Sequence, residues 1–144
     1  MVVAPLASRG PSRRGRKRPM SDATTVLVAS GDAGTRAQVL LTLGDERFEV
    51  REAEDTDATL RVIAEQLPPL VVLDVNLAGA GALAVARSLR RQPETAATRV
   101  LVLTRRDAPV PADATGVDAT LALPFTALAL LGKVGTLIEG ARER

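Results

Sequence analysis

The chain predicts an α/β domain built on a doubly wound, five-stranded parallel sheet with helices on both faces. Three observations carry this. Five short runs rich in Val, Leu and Ile alternate with stretches of helical period, and right-handed crossovers between parallel strands place the intervening helices on both faces. The run Leu70-Val71-Val72-Leu73 is apolar at every position, as a strand buried on both sides requires. It ends on the carboxylate of Asp74, and the carboxyl edge of an open α/β sheet is where ligands and chemistry gather. Asp74 is therefore the first candidate site residue.

Each element has its own justification. Thr25 to Ala29 is a short apolar strand, and Gly34 to Leu43 follows with Ala37, Leu40, Leu41 and Gly44 spaced for one helical face. Phe48 to Ala53 alternates with period two and reads as an outer strand. Asp55 or Thr56 caps a helix carrying Leu60, Ile63, Ala64 and Leu67, closed by Pro68-Pro69. After the strand ending at Asp74, Gly79 and Gly81 permit a tight turn. Leu83, Val85, Ala86 and Leu89 then mark a helix that stops before Pro93. Arg99 to Thr104 is another buried strand, and a weak region holding Pro109 and Pro111 precedes the strand Thr120 to Leu123. Thr126 caps a last helix with Leu130, Leu131, Val134, Leu137 and Ile138 on one side.

Composition narrows the chemistry. Of 144 residues 46% are hydrophobic, yet there are two Phe and no Tyr or Trp, so the core is aliphatic. Without histidine or cysteine the chain has no disulfide, no imidazole base and no thiol or imidazole metal ligand. Its chemistry must run on carboxylates and hydroxyls. No apolar stretch approaches the roughly 20 residues of a membrane span, which together with the lack of a signal-peptide core gives a cytoplasmic expectation.

The net charge of +2 hides two unlike parts. Arg9, Arg13, Arg14, Arg16, Lys17 and Arg18 precede residue 20 without a single acid. Removing these six leaves 13 basic residues against 17 acids, a net of −4. Residues 1–22 read as a disordered basic tail and 23–144 as the domain. The tail is either an arm for nucleic acid or another polyanion, or an upstream extension with Met20 as the true start. Its twin arginine lacks the apolar segment of a translocation signal.

Over residues 24 to 142 the chain resembles the receiver domain of bacterial two-component response regulators. The residues that carry the resemblance are Val26-Leu27-Val28-Ala29-Ser30-Gly31-Asp32, Leu73-Asp74-Val75-Asn76-Leu77-Ala78-Gly79, Val102-Leu103-Thr104, Gly116-Val117-Asp118 and Leu123-Pro124-Phe125. The resemblance implies a flavodoxin-like sheet of order 2-1-3-4-5. It also implies that Asp74 is the phosphoacceptor position, that Thr104 is the switch hydroxyl, and that the Leu123-Pro124 bond stands where the family has a cis-proline.

Three departures stand against that pattern. Ser30 and Gly31 occupy the positions of the family's acidic pair, and Leu123 occupies that of its lysine. Mg²⁺ takes oxygen ligands in near-octahedral geometry, and the available set would be Asp74, the Asn76 carbonyl and, one residue past the pair, Asp32. Leucine supplies no charge to a transferring phosphoryl group, and Lys133, the other lysine outside the tail, falls inside the last helix. The family's aromatic switch partner becomes Thr120 or Leu121. The segment from Thr104 to Leu123 is about three residues short of the family spacing, with prolines where a fourth helix should form.

These departures give an atypical stand-alone receiver that is not an enzyme, acts by protein contact and has no cofactor. The alternative is a working receiver phosphorylated on Asp74 by a histidine kinase with Mg²⁺. Partners expected from the resemblance are a kinase or downstream signalling protein, with homodimerisation through the fourth and fifth strand–helix surfaces. Nucleic acid enters only through the basic tail. No output domain is expected after Arg144, and abundant Arg, Ala, Val and Gly point to a GC-rich bacterial source.

Overall fold

The computed structural model describes residues 23–44, 47–107, 110–111 and 114–142. The basic tail, Met20 and Pro109 lie outside them. Within them the elements run β1 (Thr24–Ala29), α1 (Ala33–Leu43), β2 (Phe48–Ala53), α2 (Thr56–Gln66), β3 (Leu70–Asp74), α3 (Ala82–Arg91), β4 (Arg99–Arg105), β5 (Ala119–Leu123) and α4 (Ala127–Arg142). All strands pair in parallel, in the order β2-β1-β3-β4-β5. Fold class and strand order are those expected.

Strand alternation divides the core in two. Val26, Val28, Leu70, Val72, Leu101 and Leu103 face α1 and α4, where Val39, Leu43, Leu130 and Val134 meet them. Leu27, Ala29, Val71, Leu73, Val100 and Val102 face α2 and α3, against Ile63, Val85, Ala86 and Leu89. β3 is buried at all five positions, as a central strand covered by helices on both faces must be.

Two helical faces differ from the expectation. In α1 the buried stripe is Thr35, Val39 and Leu43, whereas Ala37 and Gly44 are exposed, Leu40 is 38% exposed and Leu41 84%. In α2 it is Thr56, Thr59 and Ile63, whereas Ala64, Leu60 and Leu67 lie outside. The physical reason is the threonines. Their hydroxyls are satisfied locally, Thr35 Oγ1 donating to Asp32 Oδ2 at 2.7 Å and Thr59 Oγ1 to the Asp55 carbonyl at 2.6 Å, so their methyls can face the core. Counting only aliphatic residues rotated both helices toward their leucines. In α4, Leu131 is likewise 42% exposed while Leu130, Val134, Leu137 and Ile138 are buried.

The caps follow the sequence. Asp55 Oδ1 accepts from the Ala58 amide at 2.8 Å and Thr126 Oγ1 from Ala129 at 3.0 Å. Among the described residues between β4 and β5 no helix forms; Val110 and Val117 pack, partly buried, against the core on the α2 and α3 face. The Leu123-Pro124 bond is cis.

At the sheet edge away from Asp74, the side chain of Asp118 gathers the chain. Its Oδ2 accepts from Arg90 Nη2 at 2.7 Å and from the Val100 amide at 2.8 Å, and its Oδ1 from Arg99 Nη1 at 3.3 Å. Arg90 also donates to the carbonyls of Ala96, Thr98 and Gly116. Gly116 has φ +88°, and a Cβ there would collide with the Ala86 backbone carbonyl in α3. The Gly116-Val117-Asp118 motif is thus explained by close approach and charge-assisted bonding.

Candidate functional site

The sheet's carboxyl edge brings Ser30, Asp32, Asp74, Asn76 and Thr104 onto neighbouring loops. Asp74 closes β3 opposite Leu103 of β4, and Thr104 follows Leu103, opposite Ala122. Ser30 comes directly after β1 and is anchored by its amide, which donates to the Ala53 carbonyl at 3.0 Å. Arg36 fixes the same loop from α1, donating from Nη1 to the Ser30 carbonyl at 2.7 Å while its Nε pairs with Glu52 at 3.2 Å.

Both Asp74 oxygens are engaged. Oδ2 accepts from the Ser30 hydroxyl at 2.7 Å and Oδ1 from the Asn76 amide at 2.9 Å. Ser30 is fully buried and Asp74 only 3% exposed, so this is a charge-assisted bond in a nearly dry setting, stronger than its neutral counterpart. The Ser30 oxygen in turn accepts from the Asp32 amide at 3.0 Å. At this position the site therefore has a donor toward Asp74, where a carboxylate would repel it.

Asp32 takes a different part. It is the N-cap of α1, with Oδ1 accepting from Gly34 at 3.2 Å and Oδ2 from the Thr35 hydroxyl at 2.7 Å. The Thr35 hydroxyl first, then the Gly34 amide and more weakly the charge of Arg105, hold its carboxyl below the ordinary value of 3.8. Thr104 is 5% exposed, and its hydroxyl makes no hydrogen bond among the described residues.

Sequence reasoning passed over two residues here. Arg105, the last residue of β4, reaches Asn76: with the amide oxygen turned toward it, Asn76 accepts from Nη2 at 2.8 Å and Nε at 3.0 Å. The signal was its place directly after Thr104, in register with Leu123. Thr56, read as a possible cap, instead pins the loop after β3. Its hydroxyl donates to the Ala78 carbonyl at 2.7 Å and accepts from the Gly81 amide at 3.0 Å. Gly79 and Gly81 have φ +97° and +98°, a turn that favours glycine.

The donors do not fit a magnesium ion. Mg²⁺ wants near-octahedral oxygen coordination with carboxylate help, but the acidic-pair positions hold Ser30 and Gly31, and Asp32 is turned onto the α1 cap while Asp74 faces the Ser30 hydroxyl and the Asn76 amide. Among the described residues no three carboxylates converge. The Arg105 guanidinium stands at the same edge with its own positive charge.

A parallel 2-1-3-4-5 sheet with an aspartate at the end of its central strand is a flavodoxin-like arrangement that two-component signalling receivers share. Residues 26–132 match the response regulator receiver domain model, and the chain belongs to that family. It is 32% identical over 120 residues to the phosphate regulon transcriptional regulatory protein PhoB of Rhizobium meliloti, covering 81% of this chain and 53% of that protein. The chain thus spans about half the length of the curated relatives it matches. Among solved structures, NtrX from Brucella abortus is similar with a TM-score of 0.75 and 27% identity, covering 83% of this chain and 28% of that one. The chemotaxis response regulator CheY4 of Vibrio cholerae shares the fold, with a TM-score of 0.74 and 24% identity over 80% of this chain and 98% of that one. No helix among the described residues is long and apolar enough to cross a membrane.

Proposed function

We propose that this receiver domain signals through protein contact, without Mg²⁺-dependent phosphoryl transfer, and that it works in the cytoplasm as a binding module and not as an enzyme. One observation carries the reading: the buried Ser30 hydroxyl bonds Asp74 at 2.7 Å from the position of the family's acidic pair. Phosphoryl transfer needs cationic charge on the transferring oxygens. Here the lysine position is Leu123, and the hydroxyl bond satisfies Asp74 in the unmodified state. The natural partner is a kinase or a downstream signalling protein that reads the receiver surface.

The test is incubation of the purified protein with a small-molecule phosphodonor and Mg²⁺, followed by intact-mass measurement. No acyl phosphate is expected; a stable Mg²⁺-dependent adduct lost in Asp74→Asn refutes the reading. The second reading, a functional phosphoacceptor served by a histidine kinase, is favoured by the buried, unengaged Thr104 hydroxyl one residue past the strand partner of Asp74. It predicts label on Asp74 that Asp32→Asn abolishes if Asp32 supplies the metal carboxylate.

A further inference from the structure

We propose that Arg105 is a built-in cation of this site, taking by charge the place of the missing lysine and metal ion and closing the Asp74 edge to divalent cations. The inference rests on the metal-independent reading above and extends it to a named residue.

Three features support it. Arg105 is in register with Leu123 on the adjoining strand, so a cation starts one strand away from the position that lacks one. Strand alternation puts Arg105 on the same face as Leu103, and Leu103 is the register partner of Asp74. The guanidinium then lies across the loop after β3, held by the two bonds to Asn76 at 2.8 and 3.0 Å. Its charge also acts on Asp32 on the opposite loop, lowering that carboxyl by less than the bonds from Thr35 and Gly34 do. One fixed positive charge thus spans both loops that carry the residual carboxylates. A divalent ion entering between Asp32 and Asp74 would be repelled by that charge, and because Arg105 and Asp32 are both exposed the repulsion acts through solvent, which limits it to about tenfold in affinity.

The test adds one carboxylate without disturbing the Ser30–Asp74 bond. Gly31 is exposed, and a Cβ there meets nothing nearer than the Glu54 carbonyl at 3.5 Å, so Gly31→Asp is accommodated. Four proteins, with Arg or Ala at 105 and Gly or Asp at 31, are titrated with Mg²⁺ by amide NMR. Mn²⁺ broadening of the Ser30 and Asn76 amides serves as the second readout. G31D/R105A is expected to bind on the order of 10-fold more tightly than G31D alone, and R105A to show more Mn²⁺ broadening than the natural sequence. Arg105→Lys keeps the charge without the fork and is expected to keep the exclusion. Equal metal affinity with and without Arg105, or exclusion lost in R105K, overturns the proposal. Metal binding is read directly, so an acyl phosphate formed without Mg²⁺ would defeat the functional reading while leaving the role of Arg105 intact.

Discussion

Replacing Ser30 with Ala removes one hydroxyl from a site where both partners are almost fully buried. The bond to Asp74 Oδ2 is charge-assisted and 2.7 Å long, and hydrogen bonds to charged groups contribute about 1.5–3 kcal/mol. The Asp32 amide also loses its acceptor at 3.0 Å, a neutral bond worth about 0.5–1.5 kcal/mol. Ser30→Ala should therefore destabilise the domain by roughly 2–4 kcal/mol. With a urea dependence of about 1–3 kcal/mol per molar, the unfolding midpoint should fall by roughly 0.7–4 M without change of slope. Because most of the loss comes from one pair, the cycle of S30A, Asp74→Asn and their double variant should show a coupling of at least about 1 kcal/mol. Additivity within about 0.5 kcal/mol would refute the reasoning, since it would mean that the hydroxyl acts on the loop and not on the carboxylate.

Asp118→Ala leaves Arg90, Arg99 and the Val100 amide without their shared acceptor and should cost about 2–4 kcal/mol in denaturant unfolding. Gly116→Ala forces a Cβ into Ala86 at a positive φ and should cost more than about 2 kcal/mol, with an intact Asp74 edge by NMR. The Asp32 carboxyl is held below 3.8 when folded, so its contribution is full above the unfolded value and is lost as pH falls through the folded one. The stability gap between the natural sequence and Asp32→Asn should accordingly be present at neutral pH and shrink in acid below 3.8, checked by thermal unfolding across that range.

Much of this fold was legible because parallel strands buried on both faces leave apolar runs with no interruption, and Leu70 to Leu73 is such a run. Helix existence was legible for the same reason that helix facing was not. Apolar period marks a helix, but Thr35 and Thr59 reach the core by silencing their hydroxyls on local acceptors, which no hydropathy count sees. Asp74, Ser30 and Thr104 were visible as strand ends. Arg105 was not, because an arginine at a strand terminus reads as a solvated charge until the neighbouring strand places Asn76 within its reach. Asp118 shows the same limit from the other side: its partner Arg90 lies 28 residues away in sequence.

The Thr56 hydroxyl ties the first turn of α2 to the Ala78 carbonyl and the Gly81 amide, and an isolated bridge joins Asp55 to Ala78 beside it. The loop that follows Asp74 is therefore no separate flap. Lifting it means fraying the start of α2, so the two segments should open and close as one cooperative unit in hydrogen exchange. A partner that grips the beginning of that helix would govern access to the aspartate without touching it.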